Sequence, residues 1–552
     1  MNELHKNRTL LWGLLIGFSV AWLCLLGVRT LVPPDEGRYA EMAREMFASG
    51  DWITTRLNGI KYFEKPPLQT WMNALSFAAF GLGDWQARLW TGLCGLGGIV
   101  LTGYTGARLF DQRTGFYAAL VLGSSFFWVA SGQVDSLDMS LSGMMTIALC
   151  ALLLGQRDHA SPAERRNWML LCWAGMALAV LAKGLIGLVL PGAVLVLYTL
   201  FTRDWALWGR LHLGKGLLLF FAIATPWFVL VALQNPEQPH FFFIHEHWDR
   251  FFKKEHHREG AWYYFFVMLI PGIVPWIGVL PQALGLGAQR EPGRFRPRLM
   301  LLIWAVFIFA FFTKSSSKLP GYILPIFPAL ALLIASFLAS GARRSRLFSA
   351  GLVACVGIAL LAFVPYMTRI SHHPGETALL QAYQPWVIGA GFTALVGGAL
   401  ALLYARQMKR DLFVLTLALA GFISTELILV GFEPYGAQRA GRPLVAAIQA
   451  ELKPDTRIYS VGTYEQSLSF YLRRTVTLVD YLDEFSFGLE QQPELAIPTV
   501  DAFAGQWTRD AAAGVRDLAI IRDDIYNDLK LKGVPMRVVA QDARRIVIAN
   551  NP

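Results

Sequence analysis

The chain of 552 residues is 55% hydrophobic and only 16% charged, with a mean hydropathy of +0.42. Soluble domains have fewer apolar and more charged residues, so this composition excludes a purely soluble protein and indicates a polytopic membrane protein. The net charge of +10 could indicate nucleic acid, but in a membrane protein the positions of the basic residues decide its meaning, and we expect no nucleic-acid partner.

Apolar runs recur along the first 431 residues, and thirteen of them approach the roughly 20 residues that a membrane-spanning helix needs. They cover approximately residues 10–31, 86–109, 114–131, 139–155, 167–182, 184–201, 213–233, 262–282, 297–313, 320–340, 347–366, 384–405 and 412–431. The first run is too long for a signal-peptide core and no small-residue cleavage site follows it. We therefore interpret it as a retained span.

Basic residues fix the predicted topology. Seven alternate connections, among them 1–9, 108–113 and 406–410, hold 19 Lys and Arg against six Asp and Glu. Positive charge favours the cytoplasm, so both 1–9 and 108–113 lie inside and an even number of spans separates them. The run 68–83 is then a helix at the outer surface, and thirteen crossings leave the C-terminus outside.

The predicted architecture is an all-α membrane domain, residues 1–431, with outer loops at 32–85 and 234–261. After Gly431 the composition changes to five short β-type runs with polar spacers, "TRIYSVG", "TVTLVDYL", "DLAIIRDD", "MRVVAQD" and "RRIVIANN". Two further segments, "QRAGRPLVAAIQAEL" and "YEQSLSFYLRR", are predicted to be helical. Residues 432–552 are therefore predicted to form a soluble α/β domain on the outer side.

Acidic residues stand at two of the predicted outer connections. Asp35 and Glu36 open "DEGRYAEMAREM", and "SGQVDSLD" supplies Asp135 and Asp138. Asp35 can be a simple helix N-cap, but a second carboxylate at a membrane boundary is costly and usually functional. Such carboxylates can act as a general base or orient a cationic or hydroxyl-bearing substrate.

Cations also occur on the predicted outer side, where positive charge is disfavoured. Lys65, Lys183, Arg250 and Lys318 are the candidates. Each can be a snorkelling side chain, but together they suggest an anionic group such as the phosphate of a lipid carrier or lipopolysaccharide. In "SSSKLPGYILP", Lys318 and Tyr322 are four residues apart and share a face if the segment is helical; a proline-rich hairpin is the alternative.

Five histidines fall within the loop 234–261, namely His240, His245, His247, His256 and His257. HxH spacing can bind a divalent metal, with Glu64 or another loop carboxylate completing the site, and His245 is the candidate histidine. Contact with solvent or substrate is the favoured alternative.

Four motifs in this order, "DEGRYAEMAREM", "YFEKPPLQTW", "LAKGLIGLVLP" and "SSSKLPGYILPIFP", resemble the bacterial 4-amino-4-deoxy-L-arabinose (aminoarabinose) lipid A transferases. That family is related to the protein O-mannosyltransferases. The resemblance covers some 430 residues of the membrane domain, and the first and last motifs together are its most specific part.

The resemblance implies a C-type membrane glycosyltransferase fold with about thirteen spans, acting at the periplasmic face of the bacterial inner membrane. It implies undecaprenyl phosphate bearing aminoarabinose as donor, lipid A phosphate as acceptor, and resistance to polymyxin. By motif, Asp35 and Glu36 match the family's acidic pair, Asp138 (with Asp135 as the alternative) its second-loop aspartate, and Lys65 its "KPP" lysine. We expect a monomer.

The expected chemistry needs no nucleotide, because the energy resides in the bond between sugar and carrier phosphate. The sequence accordingly has no P-loop or dinucleotide fingerprint, and no cofactor is required. The alternatives are a glycosyltransferase that uses a polyprenyl-phosphate sugar on a protein hydroxyl or another glycan, a transporter, and a non-catalytic scaffold. A transporter is expected to place ionisable groups within its spans instead of in outer loops.

Overall fold

The computed structural model describes residues 3–249, 260–370 and 374–550. The chain forms two compact units. The first comprises Met1–Leu26, Arg88–Ile370 and Gln381–Gly431, and the second comprises Gly27–Ala87, Ser371–Leu380 and Phe432–Pro552.

The first unit is helical. The α-helices that lie wholly or mainly in it are Arg8–Leu25, Asp84–Leu109, Gln112–Leu122, Phe126–Gly132, Leu137–Gln156, Pro162–Lys183, Ile186–Thr202, Leu213–Gln234, Gln238–His240, Tyr264–Gly272, Leu280–Gly287, Pro297–Lys314, Phe327–Ser340, Arg343–Phe363, Pro374–Arg406 and Arg410–Gly431. A π-helix spans Phe241–Asp249, and short 3-10 helices span Leu4–Lys6, Trp205–Arg210, Ile277–Val279, Pro320–Ile326 and Val364–Arg369.

Within the described residues, eight helical segments are long and apolar enough to cross a membrane, or up to ten if each of two bent helix pairs forms one span. The other three predicted spans are also helical, at Asp84–Leu109, Pro162–Lys183 and Ile186–Thr202. Every apolar run predicted as a span thus contains helix, which makes this a multi-pass membrane protein. The number of thirteen crossings stays a prediction.

The two bent pairs have local causes. Gln112–Leu122 and Phe126–Gly132 meet at 64°, where the Ser125 hydroxyl donates to the carbonyl of Val121 (2.7 Å) and competes with the helical ladder. Tyr264–Gly272 and Ile277–Gly287 meet at 110° across a segment that contains Pro275. Proline has no N–H to donate, so the helix breaks there.

Buried tryptophans join neighbouring helices in the first unit. The indole N–H of Trp22 donates to the carbonyl of Gly92 (2.9 Å), and that of Trp128 donates to Gly95 (3.1 Å). A Cβ at Gly132 would lie 2.3 Å from the Trp22 ring, so only glycine fits against it. These bonds satisfy the polar edge of large apolar side chains in the core.

The second unit contains all eight described strands. These are β1 (Arg56–Leu57), β2 (Ile60–Lys61), β3 (Arg457–Val461), β4 (Thr477–Val479), β5 (Ala496–Ile497), β6 (Asp517–Ile521), β7 (Arg537–Gln541) and β8 (Ile546–Ala549). Its α-helices are Asp35–Ser49, Leu68–Phe80, Glu433–Arg439, Val445–Glu451, Gln466–Leu472, Ser486–Gln491, Val500–Ala512 and Asp523–Leu531. Short 3-10 helices lie at Arg442–Leu444, Asp483–Phe485 and Pro493–Leu495.

β3 to β8 form one mixed sheet in the order β5-β4-β3-β6-β8-β7. β3, β4, β5 and β6 are parallel, whereas β8 is antiparallel to both β6 and β7. Its core is built around Tyr459, Phe503, Trp507 and Ile548. The α/β class predicted for the C-terminal segment is confirmed.

The first-loop segment belongs to this same unit. The Asn58 side chain, in the turn between β1 and β2, donates to the carbonyl of Val476 and accepts from its N–H, both at 2.7 Å. The run predicted as a surface helix is helical at Leu68–Phe80. The structure thus groups residues 27–87 with the C-terminal segment, where the sequence predicted an outer loop of the membrane domain.

Candidate active site

Asp138 lies in the first turn of the helix Leu137–Gln156, and 21% of its side chain is exposed. The positive end of the helix dipole stabilises a carboxylate there. Asp135, three residues earlier, is fully buried. Of the two aspartates that the sequence offered in this connection, Asp138 is therefore the one that a substrate can reach.

Lys183 forms an ion pair with Asp138. It is the last residue of the helix Pro162–Lys183, so its ammonium lies at the negative end of that helix dipole. Asp138 thus lies at the positive end of one helix dipole and Lys183 at the negative end of another, and the two side chains contact each other. A carboxylate that faces a cation in this way is suited to orient a cationic or hydroxyl-bearing group.

The segment around Tyr322 approaches this pair closely. The Lys183 Nζ lies 4.7 Å from the centroid of the Tyr322 ring, a cation–π contact. A Cβ at Gly321 would lie 2.5 Å from the Asp138 Oδ2, so the residue before Tyr322 has to be glycine. Gly321 was not among the site residues predicted from the sequence, although its place between Pro320 and Tyr322 in "KLPGY" was the available signal.

Lys318 is buried, with 8% of the residue exposed. Its ammonium donates to the carbonyls of Thr313 (2.7 Å) and Ser315 (3.0 Å) and lies 5.7 Å from the centroid of the Phe265 ring. Within the described residues no carboxylate pairs with it, and burial lowers the pKa of Lys318. A buried ammonium held by neutral groups is well suited to receive an anion.

The helix face that Lys318 and Tyr322 would share in a continuous helix is not formed. The 3-10 helix begins at Pro320, and Leu319 before it has extended backbone angles (φ −131°, ψ 147°). Lys318 therefore precedes the helix, because the proline starts it. Proline suits the first turn of a helix, because the N–H that it lacks would have no helical partner there.

In the second unit, Asp35 and Glu36 differ sharply in exposure. Asp35 is the first residue of the helix Asp35–Ser49, directly after the N-cap residue Pro34, and its side chain is 55% exposed. Glu36 is 2% exposed, and its Oε2 accepts the backbone N–H of Val32 (2.9 Å). Asp35 can reach a substrate, whereas Glu36 fixes the chain that leads into the helix.

Arg38 is the partner of Asp35 that the sequence analysis did not anticipate. Its Nη1 lies 3.2 Å from the Asp35 Oδ1, and its Nε lies 2.6 Å from the Glu484 Oε2. Burial raises the pKa of Glu484, and Arg38 opposes this effect. The spacing of three residues on one helix was the available signal for the pair with Asp35; nothing in the sequence indicated Glu484.

Lys65 forms a hydrogen bond and an ion pair with the preceding residue, Glu64. Its Nζ donates to the carbonyl of Glu64 (2.8 Å) and lies 3.7 Å from the Glu64 Oε2. Its side chain is 15% exposed.

The hypothesis of a metal at Glu64 and His245 receives no support from the described part of the chain. No group of three or more His, Cys, Asp and Glu residues that could hold a metal ion occurs there. Glu64 pairs with Lys65, and the His245 ring stacks on Phe241 with 5.1 Å between centroids. Arg250, with His256 and His257, lies outside the described residues.

Two family models match the chain. The model described as dolichyl-phosphate-mannose-protein mannosyltransferase matches residues 9–280, and the model of the aminoarabinose transferase C-terminal domain matches residues 444–550. The helical first unit, the charged helix ends of its candidate site and these matches define a polytopic membrane glycosyltransferase.

Individual relatives narrow this class. The crystal structure of ArnT from Cupriavidus metallidurans bound to undecaprenyl phosphate has a TM-score of 0.93 and 40% identity over 98% of both chains. The undecaprenyl phosphate-α-4-amino-4-deoxy-L-arabinose arabinosyl transferases of Edwardsiella ictaluri and Pseudomonas aeruginosa (strain UCBPP-PA14) are each 30% identical, over 86% and 91% of this chain and of their own lengths. The chain belongs to the family of aminoarabinose transferases.

Proposed function

We propose that the protein transfers 4-amino-4-deoxy-L-arabinose from undecaprenyl phosphate to a phosphate of lipid A. The observation that carries this proposal is the likeness to ArnT from Cupriavidus metallidurans, whose structure holds undecaprenyl phosphate and matches 98% of this chain. The added amine would place positive charge on the lipid A phosphate, which lowers the attraction of polymyxin and other cationic peptides.

The reaction exchanges one phosphate for another at the anomeric carbon of the sugar. The bond from this carbon to the oxygen of the carrier phosphate breaks, and the electron pair leaves with undecaprenyl phosphate. A lipid A phosphate oxygen forms the new bond. Because that oxygen is largely ionised at neutral pH, the attacking group needs little help from a general base.

Cations stabilise the leaving phosphate in this proposal. Lys318 is the best-placed candidate in the first unit, because its charge is balanced by carbonyls alone within the described residues. An ammonium aimed at developing negative charge in a water-poor site lowers the barrier strongly. Lys65 and Arg250 are also proposed to bind the donor phosphate, as predicted from the sequence.

The aspartates orient the sugar. Asp138 is ion-paired with Lys183, and a donor ammonium can take the place of Lys183 or share the carboxylate with it. Asp35 is accessible for the same kind of contact with an ammonium or a hydroxyl. Both carboxylates also favour the positive character that the anomeric carbon acquires as its bond to phosphate breaks.

The proposed location is the bacterial inner membrane, with the reaction at the periplasmic face and a monomeric protein. The basic connections, placed in the cytoplasm by the positive-inside rule, support this orientation. Protease added to intact spheroplasts is then expected to trim the C-terminal domain. Protection of that domain would contradict the orientation and the thirteen-span topology.

Mass spectrometry of lipid A tests the reaction itself. Cells that express the wild-type protein are expected to gain one aminopentose on a lipid A phosphate, and cells that express Asp138→Asn at equal level are not. Unmodified lipid A in both strains, with donor present, would overturn the proposal.

A second acceptor class deserves a direct comparison, because the mannosyltransferase family model matches residues 9–280. A polyprenyl-phosphate-sugar-dependent transferase could modify a protein hydroxyl or another glycan. Purified protein with labelled donor would distinguish the two functions. Label on a serine-containing peptide but not on lipid A would favour the second.

A further inference from the structure

A cavity of about 810 Å³ lies in the second unit. It is lined by the end of the helix Asp35–Ser49, the turn between β1 and β2, and the residues around the starts of β3 and β4. Ligand sites for small molecules and sugar units occupy roughly 300–1,000 Å³, so this volume is sufficient for a saccharide. Five of the residues that line the cavity are arginines, and the one acidic residue in the lining is Glu45.

Two of these arginines are neutralised by carboxylates. Arg44 donates to both carboxylate oxygens of Glu41, at 2.7 and 2.6 Å. Arg457 donates to Asp517 at 3.1 and 2.9 Å and to Asp510 at 2.6 Å. These pairs hold the walls of the cavity and leave little attraction for a further anion.

The other three arginines have no such counter-charge. Arg56 donates to the carbonyl of Gly59 (3.3 Å) and Arg474 to the carbonyl of Thr456 (3.2 Å), while Arg473 is exposed. Within the ranges that the structure describes, none of the three forms an ion pair. Three guanidinium groups around one cavity attract an anion, and each can bind phosphate or carboxylate through two parallel hydrogen bonds.

Arg473 has two further features. It ends the helix Gln466–Leu472 in the left-handed conformation (φ 56°), a position that usually carries glycine. It also lines a second cavity of about 420 Å³, where the guanidinium of Arg442 lies 4.1 Å from the centroid of the Tyr471 ring. The cationic surface therefore continues from one cavity to the next through Arg473.

We propose that this cavity binds an acidic saccharide, whose phosphate or carboxylate groups contact Arg56, Arg473 and Arg474. The hydroxyls of Ser49 and Thr475, which also line it, supply the neutral hydrogen bonds that sugar hydroxyls require. The walls are wholly within the second unit. The site is thus additional to Asp138, Lys183 and Lys318, and its occupation does not depend on the proposed reaction.

Calorimetric titration of the purified full-length protein tests this inference. The probes are a glucosamine disaccharide with two phosphates, its dephosphorylated form, a galacturonic acid trisaccharide and inorganic phosphate. We expect at least one acidic saccharide to bind tenfold or more tightly than the neutral disaccharide, and the two acidic probes tell phosphate from carboxylate. We expect Arg473→Ala/Arg474→Ala to weaken that binding tenfold or more.

Arg509→Ala is the matched control, because Arg509 is exposed in the same unit and lines neither cavity. Arg56→Ala replaces the double variant if the latter does not fold. Equal binding of neutral and acidic sugars, equal binding by the variant and the control, or binding of inorganic phosphate as tight as that of the sugars would overturn the proposal. Asp138→Asn should bind the saccharide normally, so failure of the transfer reaction and failure of this site are distinguishable.

Discussion

Asp138 and Asp35 each stand in the first turn of a helix, but their surroundings differ. Asp138, in the first unit, is paired with Lys183 and has Gly321 directly against its carboxylate. Asp35, in the second unit, is more than half exposed and shares Arg38 with Glu484. Asp138 is thus held by its neighbours and only partly exposed, whereas Asp35 is largely open to solvent.

The largest expected effect separates these two aspartates. Asp138→Asn and Asp35→Asn should each reduce sugar transfer at least about 100-fold, because each removes a charge that favours the cationic transition state. Asp138→Asn should also destabilise the protein by about 2 kcal/mol, since it leaves the part-buried Lys183 without its carboxylate. Asp35→Asn should cost less than about 1 kcal/mol.

Transfer kinetics and thermal unfolding in detergent measure the two effects side by side. Asp455→Asn, at an exposed position of the second unit, is the control and should change neither. Equal melting temperatures for Asp138→Asn and Asp35→Asn would remove the distinction between an enclosed and an accessible aspartate.

A smaller loss is expected when the wall beside Asp138 is altered. Gly321→Ala places a Cβ 2.5 Å from the Asp138 Oδ2, so the carboxylate or the backbone has to move. A displacement of this kind should lower kcat by roughly 10- to 100-fold. Gly285→Ala, at a site where a Cβ meets no atom within 4 Å, should leave kcat unchanged. Equal activity of both variants would show that catalysis does not depend on the close approach of residue 321 to the Asp138 carboxylate.

Lys318 should affect donor binding as well as the chemical step, because the donor phosphate is charged before its bond to the sugar breaks and gains charge as it leaves. We expect Lys318→Ala to raise the donor KM about tenfold, and Lys314→Ala, on the same connection but exposed, to have little effect. Because burial lowers the pKa of Lys318, its ammonium loses its proton at a lower pH than an ordinary lysine. As the pH is increased, the donor KM should therefore begin to rise at a pH below about 10.4, the usual pKa of lysine. In Lys318→Arg this rise should occur at a higher pH. A KM profile that is identical in the arginine variant would argue against contact with phosphate.

The smallest effect concerns Glu36. Glu36→Gln keeps an oxygen that can accept the Val32 N–H, so transfer should fall less than about tenfold, far less than in Asp35→Asn. Kinetics of the two variants under the same conditions make the comparison. If Glu36→Gln reduced the rate of sugar transfer as much as Asp35→Asn, Glu36 would have a catalytic role instead of a structural one.

Much of the fold followed from the sequence because hydrophobic periodicity reports directly on burial. Each predicted span contains helix, and the five predicted strand segments contain β3, β4, β6, β7 and β8. β5 has only two residues and β1 and β2 have two each, too short for alternation to be recognised. The association of residues 27–87 with the C-terminal segment is a long-range property that no local pattern records.

The sequence allowed most of the candidate site residues to be predicted, but not which of them contact one another. Asp138, Lys183 and Tyr322 were all candidates, yet the ion pair and the cation–π contact depend on how three distant segments pack. Glu36 looked equivalent to Asp35, and the structure separates them by burial. The spacing of Lys318 and Tyr322 allowed a shared face if the segment was helical, whereas in the structure Pro320 starts the helix after Lys318.

The strand order of the sheet has a consequence for biosynthesis. β8 follows β6 and β7 along the chain, yet it lies between them in the sheet and is the hydrogen-bonded neighbour of both. A nascent chain that stops before Ile546 carries β6 and β7 with unpaired edges, and exposed edges are templates for aggregation. Truncated products of translation that lack β8 should therefore be more prone to aggregation, and more vulnerable to quality-control proteases, than chains that contain it.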